Sequence, residues 1–197
     1  QNCDIRNFAD GVLLTNIGSN NVIQSNSFLN NSDGIGLNPG LSNNITLNTF
    51  LNSTVCGVNA SANFNNAFLT STWNNIWNNK FLNNSNGQNG CSDVNNSYNN
   101  WYLAKECNSG SNIIGGPCLG GNYWGDYDGL DVTGDKLGDT NVPHLGGGIQ
   151  GVSQGDNFPL VNITQFPSVI CNSYTWPAGN YTTDSGGEGL AVVCDNA

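Results

Sequence analysis

Five aspartates, Asp126, Asp128, Asp131, Asp135 and Asp139, crowd into one short stretch of a chain whose residues are only 9% charged. Carboxylates at such spacing can hold a hard cation or divide acid and base work between two of them. Calcium takes roughly six to eight oxygens from carboxylates, carbonyls and water. Gly125, Gly129, Gly134 and Gly138 allow the tight turns such a loop needs. The five aspartates are therefore the candidate calcium ligands, with a structural role for the ion. The competing reading is a solvated acidic loop closed by its own hydrogen bonds, in which Lys136 offsets part of the charge.

Other reactive groups are sparse. His144 is the single histidine, and with no second His or nearby Cys it is expected on a surface loop. The chain has no Met, so the soft donor set of a copper site is missing. Across residues 11–92 the sole acid is Asp33, too few for the paired carboxylates of a glycosidase. No G-x-S-x-G elbow is present. No residue is assigned a catalytic role.

Seven cysteines lie far apart without a C-x-x-C pair, which suits disulfides in an oxidising compartment better than zinc or thiol redox chemistry. Cys171 and Cys194 bracket the C-terminal segment and are the expected pair, and the odd total leaves one thiol over. Sequons at Asn30, Asn44, Asn52, Asn59, Asn83, Asn95, Asn162 and Asn180 are the candidate glycosylation sites. A net charge of −10 with four cations excludes nucleic acid and anionic membrane faces as partners, since both demand basic patches. No apolar run reaches the roughly 20 residues of a membrane span. The absence of Met and the start at Gln1 point to a processed or truncated product, with a secretory signal removed upstream as the simplest expectation.

The elements that position these groups come from a repeat. Ile23-Asn26-Phe28, Ile45-Asn48-Phe50 and Ile76-Asn79-Phe81 share one spacing, and Gly11, Gly34 and Gly57 each precede an apolar residue. The period is 22 to 23 residues, and the stretch 59–74 breaks it. Each unit holds short alternating strands between Asn/Gly corners, which places Ile23, Phe28, Ile35 and Leu37 on one inward side. Stacking buries that side and brings Asn26, Asn48 and Asn79 into line, where their amides can form an axial ladder. Residues 1–105 amount to roughly four or five coils at about 4.8 Å per coil. The first coil presents an open edge, to be met by further coils or by another copy.

These units resemble the parallel β-helix repeats of the carbohydrate-binding and sugar-hydrolase superfamily. The branch they are most similar to includes the periplasmic copper-processing proteins of nitrous oxide reductase maturation, and archaeal and bacterial surface proteins that carry such repeats. The resemblance extends from the coils through Asn112-Ile113-Ile114-Gly115-Gly116-Pro117 and Gly120-Gly121-Asn122-Tyr123-Trp124 to Asp156-Asn157-Phe158-Pro159-Leu160. It implies an all-β, right-handed parallel β-helix over 1–111 and an aromatic and acidic capping segment over 112–160. The remaining residues, 161–197, read as a small β-hairpin tail. The family's acidic stretch has Asp at every second position, whereas here Thr133 and Lys136 interrupt it.

Two functional readings follow, neither enzymatic. One is an extracellular or cell-surface structural protein that self-associates as a homo-oligomer, filament, sheath or layer. The rival is a carbohydrate-binding or adhesive module, with glycans stacked on Trp73, Trp77 or Trp101 if these are exposed.

Overall fold

Residues 1–60, 71–85, 90–92, 98–145, 149 and 155–162 are described by the computed structural model. The tail, including Cys171, Cys194 and Asn180, lies outside them, as does Asn95. Residues Gln1–Ile163 form one compact unit and Thr164–Ala197 another.

Short strands alternate with single-residue corners. The first coil contains β1 (Asp4–Arg6), β2 (Asp10–Ser19) and β3 (Val22–Gln24); the second has β4 (Ser27–Leu29), β5 (Asp33–Leu41) and β6 (Asn44–Thr46). The third has β7 (Thr49–Leu51), β8 (Cys56–Ala60) and β9 (Asn75–Trp77), followed by β10 (Lys80–Leu82) and β11 (Gly90–Ser92). The small strands β12 (Glu106–Cys107), β13 (Cys118–Leu119) and β14 (Tyr123–Trp124) complete the order. Three parallel sheets result: β1-β4-β7-β10-β14, β2-β5-β8-β11 and β3-β6-β9. Only β12 and β13 pair antiparallel among the named strands. The chain is an all-β parallel β-helix.

Register stacks like on like inside the coil. Phe28, Phe50, Phe81 and Trp124 form a continuous ring stack with centroids 4.9, 4.8 and 4.6 Å apart, and all four are fully buried. Ile23↔Ile45↔Ile76 and Val12↔Ile35↔Val58 fill the other walls. Gly34 must be glycine-sized, because a Cβ there would meet Gly57 O at 2.4 Å and Phe50 Cδ1 at 2.5 Å.

The corners explain the asparagine content. Each turn uses one residue in the left-handed region followed by one that returns to β. The left-handed residues fall in columns: Ser25, Leu47 and Asn78; Asn7, Asn30, Asn52 and Asn83; Asn20, Ser42 and Trp73. Asn is the residue that tolerates this conformation best after Gly. The residue after each corner points inward and forms the expected ladder. Asn48 Oδ1 accepts both Asn26 N (3.0 Å) and Asn26 Nδ2 (3.1 Å), while Asn48 Nδ2 donates to Ile23 O and Asn79 Oδ1. A second ladder runs Asn21, Asn43, Asn74, Asn99, and a third pairs Phe8 N with Asn31 and Ser53 N with Asn84. The repeat steps by 22 residues from Asn26 to Asn48 and by 31 from Asn48 to Asn79, so the irregular stretch is an insertion that leaves the ladder in register.

Replacing a fully buried rung strands several donors and acceptors at once. Asn48→Ala and Asn48→Asp are both expected to lower the unfolding free energy by about 3 kcal/mol or more, read by urea denaturation. Asn30→Ser, at the outer corner, is expected to cost about 1 kcal/mol or less. Equal effects at the two positions would remove the ladder from its structural role.

Candidate functional site

The most elaborate cluster of functional side chains lies where the coils meet the segment after Pro117. The Asn ladder passes from Asn79 to Asn122, whose Oδ1 accepts Asn79 N at 3.0 Å, and ends on Asp156. Asp156 is fully buried. Its Oδ2 accepts Asn122 N and Trp124 Nε1, each at 2.7 Å, and its Oδ1 accepts Phe158 N at 2.9 Å. A carboxylate suits this last rung because it only accepts, so no NH₂ is left pointing past the end of the ladder. Burial pushes the Asp156 carboxyl up to about 6, against the opposing pull of those three N–H bonds.

His144, expected on an exposed loop, is packed instead. Its side chain is 14% exposed, and its ring lies 5.4 Å from Trp124 and edge-on to Tyr127 at 5.3 Å. Nε2 is 3.5 Å from Asp126 Oδ1, and the His144 main chain exchanges 2.8 Å bonds with Asp156. The cause is the ring stack: Trp124 ends it, and the imidazole covers the indole. Tyr127 donates to Thr140 O, and burial, then the charges of Asp156, Asp139 and Asp128, pushes its hydroxyl up to about 12. The Asp156 oxygens are committed to N–H donors, so this grouping works as the seam between cap and coil.

The aspartates of 126–139 turn their oxygens inward. Asp131 accepts Gly134 N, Asp135 N and Lys136 N; Asp139 accepts Val132 N, Thr133 N and Thr133 Oγ1. Those bonds hold the Asp139 carboxyl below its ordinary value despite partial burial, which acts the other way. Asp135 accepts Leu137 N and pairs with Lys105, and Asp128 accepts Asn141 Nδ2.

Among the predicted glycosylation sites, Asn52, Asn83 and Asn162 are exposed. Asn30 is exposed too, and Asn44 is half-buried: Asn30 Oδ1 accepts Asn52 Nδ2, and Asn44 Oδ1 accepts Trp77 Nε1 at 3.1 Å. Asn59 donates to Asp33. Of the three candidate sugar-stacking tryptophans, Trp101 is buried in the core at 1% exposure and Trp73 is open at 61%.

Two features escaped sequence reasoning. Asp10 stands in register with Asp33 on the neighbouring coil, and burial, with Asp10's charge, raises the Asp33 carboxyl. The pair was hidden because Asp10 precedes Gly11, the first marked position of the repeat. The second is the disulfide Cys107–Cys118, which joins β12 to β13. Cys56 is also disulfide-bonded, and Cys3 is a free, exposed thiol.

The family described as periplasmic copper-binding protein (NosD) matches residues 1–129. No curated protein and no solved structure matches the chain. Copper finds no fitting donor set among the described residues. There is no Met in the sequence, His144 faces Asp126, and the grouping of Cys107 and Cys118 with Asp135 has both sulfurs joined to each other.

The buried ladder end gives a pH signature. The native Asp156 pKa, about 6, lies above the ordinary carboxylate value, so its contribution to stability is full below about pH 4 and is lost as pH rises through 6. Wild type is expected to lose about 3 kcal/mol relative to Asp156→Asn between pH 4 and 7, measured by denaturation at each pH. A difference that stays flat over that window would show that Asp156 titrates normally.

Proposed function

The chain belongs to the NosD family, and from that premise we propose that it is a structural, self-associating protein outside the cytoplasm, at the cell surface. The carrying observation is the open coil. β1, β2 and β3 are each the outermost strand of their sheets among the described residues. Their inward side chains Ile5, Val12, Leu14 and Ile23 are only partly buried, whereas the same columns are closed from the next coil onward. Phe8, Leu13 and Val22 are 59%, 47% and 62% exposed at the same end. Edges of this kind pair with other strands unless charge or Pro blocks them.

Two further points support the reading. Disulfides persist in oxidising compartments such as the periplasm and the cell exterior. No helix among the described residues is long and apolar enough to cross a membrane. The coil is right-handed in this reading, as parallel crossovers almost always are. In this reading the edge is met by a second copy or by further coils of the same protein, and the oligomeric state in solution separates the two. At the opposite end Leu160 bridges Tyr123 and so covers the last strand of that one sheet. Filaments or layers then require a second contact on the coil sides.

Light scattering across a concentration series is expected to show a dimer, and mild oxidation a Cys3-linked pair that Cys3→Ser abolishes. Phe8→Lys with Val22→Lys is expected to weaken the dimer at least tenfold. A monomer at every concentration, with no ordered assemblies by electron microscopy, would overturn the reading.

Calcium enters this reading through the acidic loop. Asp131, Asp135 and Asp139 already accept backbone N–H groups, so the ion would draw on Asp126 and Asp128 or displace those amides. A calcium-dependent rise of several degrees in Tm, reversed by chelator, supports it. An unchanged Tm removes calcium from the reading.

A further inference from the structure

One outer corner breaks the pattern of its column. Asn20, Ser42 and Trp73 occupy equivalent left-handed positions, with φ of 58°, 53° and 61°. The first two are small polar residues of the kind such corners favour. Trp73 is the bulkiest residue possible in a conformation that Gly, Asn and Asp adopt most readily, and it is 61% exposed. Packing does not explain it, because so exposed a side chain contributes little to the core. Strain of this sort, kept where a better corner residue is one substitution away, collects at functional positions.

Among the described residues the surroundings leave one aromatic face free. Tyr98 stacks on one side of the indole with centroids 5.4 Å apart and planes 11° from parallel. Tyr98 is itself 46% exposed. On the other side the next corner residue is the exposed Ser42, one strand spacing away, and beyond it the exposed Asn20. Neither side chain is long enough to cover an indole. The result is a ledge: a flat apolar face held rigid by Tyr98, above a hydroxyl and an amide.

We propose that this ledge binds a neutral pyranose ring of a polysaccharide, with the C–H face of the sugar on Trp73 and its hydroxyls on Ser42 and Asn20. A rigid aromatic anchor beside a few polar groups is the usual composition of a sugar-sized site. Charge selects the ligand class. Among the described residues the column has no cation to meet an acidic sugar, and Lys136 stands in the acidic loop. Arg6 is paired with Asp4, Lys105 with Asp135, and Lys80 lies over the Tyr123 ring at 5.5 Å. Among the described residues it has no carboxylate to hold a cationic ligand either. The site is independent of the open coil edge, so either proposal can fail without the other.

The test uses the full chain against four probes, cellulose, chitin, mannan and an α-glucan, in pull-down and affinity electrophoresis. Wild type is expected to bind at least one, with a change in tryptophan fluorescence. Trp73→Asn is expected to weaken that binding at least tenfold while raising Tm by about 2–4 °C, because Asn adopts the corner conformation readily. Trp73→Phe keeps an aromatic face and is expected to retain part of the affinity. Trp77→Phe, at a half-buried position whose Nε1 bonds to Asn44, is expected to leave binding unchanged. Retention of none of the four probes, wild-type binding by Trp73→Asn, or a lower Tm in that variant would each overturn the proposal.

Discussion

The structure depends on one requirement: every coil must turn three corners with its backbone buried, and each buried N–H needs an acceptor. An inward Asn meets that need twice over. Its Oδ1 takes the amide and side chain of the rung before it, and its Nδ2 donates both to a carbonyl and to the rung after it. Leaving such a group unmatched in the interior costs about 1–3 kcal/mol. The apolar columns stabilise the coil, but they tolerate any residue of about the right size. The amides do not, so they fix the register that brings Phe28 over Phe50 and Ile45 over Ile76.

That requirement also shapes the ends. A ladder of amides has a direction, because each NH₂ must find an acceptor beyond it. At one end the chain resolves this with Asp156, an acceptor-only rung placed under Trp124 and sealed by Gly121, where a Cβ would overlap the carboxylate. The cost is a buried acid whose pKa is displaced upward. At the other end two of the rung positions are not amides: Cys3 and Phe8 donate backbone N–H groups to Asn26 and Asn31 but offer no side-chain amide of their own. A strand that joins there must use main-chain edges and apolar contact.

The coil was legible in the sequence because its period is short and its signals redundant: Ile, Asn and Phe at fixed spacing, with Gly11, Gly34 and Gly57 marking close approach. One ladder of three was legible, since Asn26, Asn48 and Asn79 share that motif. The second was hidden among neighbouring asparagines, where Asn43 and Asn44 or Asn74 and Asn75 look alike and only the corner conformation tells the inward residue from the outward one. The seam was harder still. Asp156 joins Asn122 across 34 residues, and nothing local marks an aspartate as the last member of a row of asparagines. His144 was misplaced for the same reason. A lone histidine carries no periodicity, and its position is set by the indole it covers.

A parallel coil of this kind separates its tasks by direction. Inward columns are fixed by packing and amide geometry, and flat outward strand positions repeat with little consequence. The corner residue is different, because its backbone conformation already restricts what fits, and side chains such as those of Asn20, Ser42 and Trp73 are exposed there. Substituting Asn or Ser by a large aromatic at a corner therefore alters the surface without disturbing the ladder: Asn74, next to Trp73, still donates to Asn99 at 2.8 Å and to Gly40 at 2.9 Å. Binding surfaces can thus be built at the corners one residue at a time, at the cost of local backbone strain alone. Trp73 is where this chain bears that strain with its largest side chain, and the interior gives no reason for it.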